Sequence, residues 1–145
     1  GIQAIDLLGR KMMRDRGETA KALIAMMRAP IADAPAETAE ALAEAVDTLD
    51  ASVDRMIELF EEDRPAALAA ATAHLELWGI TLGGWMLARA AGVAANGSDY
   101  PADFKDAKLR TARFYADHIL PRTTALAATL TASEETAAGM QDDWF

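Results

Sequence analysis

The clearest pattern in the sequence is a heptad of apolar positions between residues 36 and 62. Its members are separated by four, three, four, three and four residues: Leu42, Val46, Leu49, Val53, Met56 and Phe60. This spacing aligns them along one side of an α-helix. The acidic residues of the same segment fall on the opposite side. The pattern therefore predicts a long amphipathic helix that buries one stripe.

A second long helix is predicted directly after the first, over residues 65 to 95. Asp63 suits the N-cap and Pro65 the first turn, whereas Asn96-Gly97 is a strong stop signal. The segment is nearly apolar all round, which predicts the most buried helix of the fold. Its large side chains recur at spacings of seven, three, four and three: Leu68, Leu75, Trp78, Leu82 and Trp85.

Shorter helices are predicted on both sides of this pair. Residues 1–15 and 18–29 predict two helices, with Gly17 as a left-handed cap between them. Asp103 is expected to cap a later helix that Pro121 bends. The expected buried side of that helix consists of Phe104, Ala107, Ala112, Tyr115, Ile119, Leu126 and Leu130.

The end of the chain completes the expected architecture. Residues 131–134 look like a capping box that opens a short last helix, and Trp144-Phe145 is a bulky apolar terminus. No segment has the pattern of a strand. The predicted fold class is all-α, an up-and-down bundle of four to five helices.

Composition and charge narrow the possible functions. The chain has no cysteine, which excludes disulfides, thiolate metal sites and a cysteine nucleophile. Its net charge of −9 is concentrated in residues 33–64, and bulk acidity argues against nonspecific nucleic-acid binding. The longest uncharged stretch, Leu77 to Ala88, has 12 residues, whereas a membrane span needs about 20. We therefore expect no transmembrane segment and a cytoplasmic location.

Neither histidine indicates a metal or catalytic site. A di-metal bundle needs Glu-x-x-His pairs, but Ala71 and Tyr115 stand three residues before His74 and His118. His74 is interpreted as a hydrogen-bonded or surface residue, and His118 as part of a solvated pair with Asp117. No metal ligands and no catalytic residues are predicted within the chain.

Three further features have a structural and a functional interpretation. The acidic face of residues 37–61 is either solvated or docked on a basic face at residues 105–113. Gly79 and Gly83 favour close helix packing, and Trp78 with Trp85 favours core over a cofactor site. The methionines form either core or an adaptable interaction surface: Met12, Met13, Met26 and Met27.

Two stretches resemble the acyl-CoA dehydrogenase family. Residues 1–11, Gly-Ile-Gln-Ala-Ile-Asp-Leu-Leu-Gly-Arg-Lys, are similar to a conserved helix of the bacterial enzymes. A second set resembles the tail of a subgroup with an extra C-terminal helical region: Trp78-Gly79, Gly83-Gly84-Trp85, Arg89-Ala90-Ala91, Lys108, Ala112-Arg113-Phe114-Tyr115 and Leu120-Pro121-Arg122. The two stretches lie near opposite ends of the chain, in the expected order.

The resemblance implies a division of labour. Residues 1–30 would be the final helices of the dehydrogenase core, and residues 31–145 an additional helical bundle. The family's catalytic glutamate would lie upstream of Gly1, so the isolated chain is expected to be inactive. Gly1 and Gln3 would lie beside the flavin, as the strip after that glutamate does in the family.

The resemblance also implies cofactor and partners. The parent enzyme would use FAD to oxidise acyl-CoA to 2-enoyl-CoA in fatty acid metabolism, while no cofactor is expected on the isolated chain. Its partners would be the remainder of the dehydrogenase chain and further copies in a homo-oligomer. The alternative interpretation is a stand-alone helical protein-interaction module.

Overall fold

Two long antiparallel helices form the centre of the structure. The computed structural model describes residues 1–137, and α3 (Ala36–Glu62) and α4 (Arg64–Asn96) are its longest elements. The carboxylate of Asp63 between them accepts a 3.1 Å hydrogen bond from the backbone N–H of Ala66. The predicted cap is confirmed, because this contact satisfies one of the free donors at the start of α4.

The heptad of α3 packs into α4 as its spacing predicts. Phe60, the last member of the heptad, is partly buried. The other five members are fully buried: Leu42, Val46, Leu49, Val53 and Met56. On α4, most of the fully buried positions other than Leu77 are small or polar residues, such as Ala67, Ala70, His74 and Thr81. The predicted stripe of large side chains lies to one side of this contact, where Leu75 and Leu82 stay only partly buried.

The amino-terminal helices cross the α3–α4 pair. Helix α1 (Ile2–Asp6) continues into a π-helical turn (Leu7–Met12), and α2 (Glu18–Arg28) continues into a 3-10 turn (Ala29–Asp33). Gly17 between them has φ +81°, which confirms the predicted left-handed cap.

The first helix leaves its two isoleucines on the exposed side and buries another face. Ile2 and Ile5 are 82% and 48% exposed, whereas Ala4, Leu8 and Met12 are buried. These three positions are four residues apart, a spacing that drifts around an α-helix. The wider π turn, with N–H to C=O bonds five residues apart, keeps Leu8 and Met12 on one side.

The carboxyl-terminal segment is two helices where the sequence predicts one bent helix. Helix α5 (Ala102–His118) ends before Pro121, and α6 (Arg122–Ala137) begins after it. The N–H groups of Ile119 and Leu120 both bond to the carbonyl of Tyr115, and Pro121 has no N–H to continue the ladder. The proline therefore separates the helices instead of bending one.

Three details of this segment are also wrong in the prediction. Helix α5 begins at Ala102 with Pro101 as its N-cap, so Asp103 lies inside the first turn. Phe104 and Ala107 are exposed because the first two turns of α5 extend beyond the core. The capping box at residues 131–134 does not open a new helix, since α6 continues to Ala137. Trp144 and Phe145 lie outside the described residues.

Candidate functional site

One face of the structure has a groove with an apolar floor and a basic rim. It has a volume of about 820 Å³ and lies between the π turn, the start of α2 and one face of α4. Its floor consists of Leu7, Leu23, Leu75, Trp78 and Leu82, and Arg10, Lys11 and Arg14 stand at its rim with Asp15.

A second, smaller groove continues along the same face of α4. It has a volume of about 350 Å³ and lies between the end of α4 and the start of α5. Met86, Val93, Tyr100 and Phe104 line it, and all four are more than 40% exposed. Such a set of large apolar side chains open to solvent is typical of a surface that binds another molecule.

The two residues expected beside a flavin lie at the amino end of α1. Gly1 and Gln3 are both exposed, and the terminal amine of Gly1 donates a 3.2 Å hydrogen bond to the hydroxyl of Thr72 on α4. A Cβ built on Gly1 would meet only the side-chain oxygen of Gln3, at 3.6 Å. Both residues are thus open to contact from a neighbouring group, and neither belongs to the grooves.

His74 is a buried, hydrogen-bonded residue, which is one of the two interpretations that the sequence allows. It is 1% exposed, and its ring nitrogens lie 3.3 Å from the Ser52 hydroxyl and 3.0 Å from the Trp78 indole nitrogen. Burial lowers its pKa from 6.5 to about 4, so the imidazole is neutral at physiological pH. His118 is exposed and stacks against Phe114 with ring centres 4.7 Å apart.

The acidic face of α3 forms ion pairs with basic residues of α2. The amine of Lys21 bonds to the carboxylates of Asp50 at 2.6 Å and Asp54 at 2.7 Å. Arg28 bonds to Asp47 and also to Asp50, the latter at 3.0 Å. The hydrogen bond from Lys21 lowers the pKa of Asp50, against the effect of partial burial.

The glycines of α4 divide into two groups. A Cβ on Gly83 would overlap the hydroxyl of Tyr115, and one on Gly84 would lie 2.7 Å from a methyl group of Leu120. Close packing against the α5–α6 connection therefore requires both. Gly79 is exposed and has nothing within 4 Å of the corresponding position, so the predicted close packing is confirmed at Gly83 and wrong for Gly79 within this chain.

The tryptophans and methionines are only partly core. Trp78 is 6% exposed, and Trp85 is partly buried beneath the guanidinium of Arg89, 5.1 Å from its ring centre. Met12 and Met27 are buried, whereas Met26 is 61% exposed. The mixed outcome follows from the position of these residues at the border between core and grooves.

Residues 1–137 contain no group of three or more His, Asp or Glu side chains that could hold a metal ion. Within the same residues, no helix has the length and apolar character needed to cross a bilayer.

The grooves themselves could have been predicted in part. Leu75, Gly79, Leu82, Met86 and Val93 are separated by four, three, four and seven residues, which is a heptad seam on the outer face of α4. The seam is hidden in the sequence because α4 is apolar on every side.

These features define a class: a helical bundle with open apolar grooves. Residues 20–141 match the family described as acetyl-CoA dehydrogenase C-terminal like. The chain belongs to this family, which confirms the resemblance to acyl-CoA dehydrogenases.

A curated relative agrees with the family match. The chain is similar to the 3-methylmercaptopropionyl-CoA dehydrogenase of Ruegeria pomeroyi, with 34% identity over 134 residues. The aligned part is 86% of this chain but 22% of the relative, so the chain spans about a fifth of that protein's length. No solved structure matches the chain.

Proposed function

We propose that this chain is the C-terminal helical part of an FAD-dependent dehydrogenase that oxidises acyl-CoA to 2-enoyl-CoA. The family match over residues 20–141 carries the proposal. A relative named as a CoA-thioester dehydrogenase, about a fifth of which aligns with this chain, supports it. The cytoplasmic location and the homo-oligomeric state of the parent enzyme belong to the same proposal.

The role of these residues is structural packing and contact with other parts of the enzyme. The two grooves support this role, because they leave large apolar side chains such as Met86 and Val93 open to solvent. Burial of that surface against another part of the protein is favourable by about 25 cal/mol per Å².

The flavin-facing part of the proposal concerns Gly1 and Gln3. Both are exposed, and the Gln3 amide can donate and accept hydrogen bonds. The two residues fit an edge of a flavin site, but two neighbouring residues cannot enclose the cofactor. When bound, FAD would accept the hydride in the parent enzyme, and this chain would supply only part of the surrounding wall.

The test compares two polypeptides. One is the 145-residue chain, and the other is the complete product of the reading frame that encodes it. We expect the longer protein to bind FAD, seen by its absorbance, and to oxidise acyl-CoA with an artificial electron acceptor. We expect neither property in the 145-residue chain. A longer protein that has no flavin and no acyl-CoA oxidation would contradict the proposal.

A variant tests the contribution of Gln3 separately. In the longer protein, Gln3→Ala should lower the amount of FAD retained after dialysis, because an amide contact is lost. The control is Lys105→Ala on α5, which should retain as much FAD as the unchanged protein. Equal retention in both variants would remove Gln3 from the flavin site and leave the family membership intact.

The same grooves support a second candidate function, a stand-alone protein-interaction module. This alternative predicts that the reading frame begins near Gly1 and encodes no dehydrogenase core. The sequence of the messenger upstream of Gly1 distinguishes the two, since a core-encoding region there removes the alternative.

A further inference from the structure

The outer face of α4 carries an apolar seam that the other elements of residues 1–137 cover only in part. Its members recur with heptad spacing: Leu75, Gly79, Leu82, Met86 and Val93. The first three line the larger groove and the last two line the smaller one, so both grooves are parts of one surface. From residue 75 to residue 93 the seam extends about 27 Å, at about 1.5 Å per residue.

Gly79 at the centre of the larger groove has no packing reason within the chain. A glycine inside a helix costs about 1 kcal/mol relative to alanine. Gly83, Gly84 and Gly92 each face a close neighbour, namely Tyr115, Leu120 and the carbonyl of Asp33. Gly79 faces none within 4 Å. A glycine on an apolar seam permits the close approach of another backbone from outside.

Charges along the seam select the kind of partner. The two grooves together are lined by five cationic side chains and one carboxylate: Arg10, Lys11, Arg14, Arg89, Lys108 and Asp15. Asp6 neutralises part of this charge through its 2.5 Å bond to Arg10, and Asp15 bonds to Thr19. The rim remains predominantly basic, although the chain as a whole has a net charge of −9.

This charge pattern disfavours a second copy of the chain as the occupant. Any two-fold pairing on the seam would place one basic rim against another. Like ends would meet in a parallel pair, and the Arg10 end would meet the Arg89 end in an antiparallel pair. A partner with an apolar stripe and acidic flanks would instead meet complementary charge at both ends.

We propose that the seam Leu75–Val93 is the docking site for an amphipathic helix with acidic flanks, contributed by the part of the dehydrogenase that precedes this chain. This inference rests on the proposed function. About four fifths of the relative lies outside the aligned part, which supplies ample chain for such a helix. Gly1 lies beside Thr72, about one turn of α4 before Leu75, so a segment joined to Gly1 would reach the seam without a long connection.

Oxidation of Met86 measures whether the seam is covered. Met86 is 54% exposed, and hydrogen peroxide converts an exposed methionine to its sulfoxide, which peptide mass spectrometry detects. In the 145-residue chain we expect rapid oxidation. In the complete product of the reading frame we expect the rate to fall at least tenfold. Equal rates in the two proteins would overturn the inference.

Gly79→Leu tests the close approach. In the 145-residue chain this variant should fold normally, because its side chain enters open space. In the longer protein it should hold the docked helix away and restore rapid Met86 oxidation. The matched control is Ala95→Leu, an exposed α4 position on another face, which should leave Met86 protected. Protection that persists in Gly79→Leu would contradict the assigned contact.

Two further measurements identify the occupant. Arg89→Glu in the longer protein should speed Met86 oxidation, because it weakens the binding of the acidic helix. An unchanged oxidation rate would overturn the charge argument. Sedimentation of the 145-residue chain should show a monomer, whereas a dimer with protected Met86 would assign the seam to a second copy. The flavin content of the same preparations separates this inference from the proposed function. A flavin-bound, active protein with exposed Met86 would contradict the docking inference and leave the proposed function intact.

Discussion

The indole N–H of Trp78 donates a 3.0 Å hydrogen bond to Nε2 of His74, one turn earlier on α4. A nitrogen that accepts carries no proton, so the proton of the neutral imidazole is on Nδ1, 3.3 Å from the Ser52 hydroxyl oxygen. Ser52 in turn donates to the carbonyl of Leu49 at 2.7 Å. This buried relay joins α3 to α4 and depends on a neutral His74.

The relay predicts acid sensitivity of the fold. The pKa of His74 is about 4 in the folded protein and 6.5 when unperturbed, so the unfolded chain binds the proton between these values and the folded one does not. The contribution of neutral His74 to the free energy of unfolding is therefore fully present above pH 6.5 and is lost as the pH falls. The linkage relation gives a loss of about 2 kcal/mol by pH 5 from this residue. Urea denaturation at pH 7.5, 6 and 5 measures it.

Two variants isolate the contribution of His74. His74→Gln should be less stable at pH 7.5 but should lose less stability between pH 7.5 and pH 5 than the unchanged chain. His118→Gln removes an exposed histidine and should keep the original pH dependence. If His74→Gln and the unchanged chain give parallel curves, His74 is not the source of the acid sensitivity.

Gly83→Ala should destabilise the contact between α4 and α5. Its Cβ would overlap the hydroxyl of Tyr115, which donates a 3.1 Å hydrogen bond to the carbonyl of Ile80. The expected loss is about 2 kcal/mol, from overpacking and a displaced hydrogen bond. In a Tyr115→Phe background the same glycine change should cost less, because the overlapping oxygen is gone. Equal costs in both backgrounds would contradict this explanation.

Gly17→Ala should destabilise the turn between the π turn and α2. Its φ of +81° is unfavourable for alanine, and its Cβ would lie 2.6 Å from a methyl group of Ile57. We expect a loss of about 2 to 3 kcal/mol in thermal or urea unfolding. Gly9→Ala is the control, since its Cβ would make ordinary 3.6 Å contact with Phe60 and should change little.

Lys21→Met should weaken the attachment of α2 to α3 only slightly. Lys21 bonds to Asp50 and Asp54, but all three side chains are at least 32% exposed. The expected loss is below about 1 kcal/mol, and it should shrink in 1 M NaCl, where charges are screened within about 3 Å. Lys105→Met on α5 serves as the control. A loss that is insensitive to salt would indicate packing by the lysine stem and not charge.

The Asp50 carboxylate of the same cluster makes the stability of the folded protein depend on pH at low pH. The pKa of Asp50 is lowered below 3.8 chiefly by the hydrogen bond from Lys21. Its stabilising contribution is therefore present above pH 3.8 and disappears as the pH falls through the lowered pKa. In Lys21→Met this contribution should be smaller, which separates it from that of His74 at higher pH.

The parts of the fold that the sequence predicts are those that local rules determine. The heptad of α3, the Asp63 cap and the Gly17 left-handed turn each depend on a few neighbouring residues, and the structure confirms all three. The end of the chain follows different rules. At residues 131–134 the Ser133 hydroxyl bonds to the carbonyl of Thr129 inside a continuous helix, so a capping sequence is present without a cap.

The heptad spacing of the α4 seam is present in the sequence, but that this face stays open could not be predicted from local rules. Leu75, Leu82 and Met86 have the same apolar character as the buried face of α4, and only the positions of the other helices show which face stays open. Likewise, the acidic face of α3 is paired with Lys21 and Arg28 because α2 packs beside it, which the spacing of the sequence does not show. Sequence spacing gives the faces of a helix but not the neighbour of each face.

The one-residue connection at Asp63 affects how the protein is made. Helices α3 and α4 are joined with almost no loop to close, so they can pair as soon as both leave the ribosome. The surface of α4 around Gly83 and Gly84 stays uncovered until Tyr115 and Leu120 have been synthesised. Synthesis of residues 97–120 takes about 1 to 5 s at about 5 to 20 residues per second. During this time the nascent hairpin exposes apolar surface, and exposed apolar surface promotes aggregation.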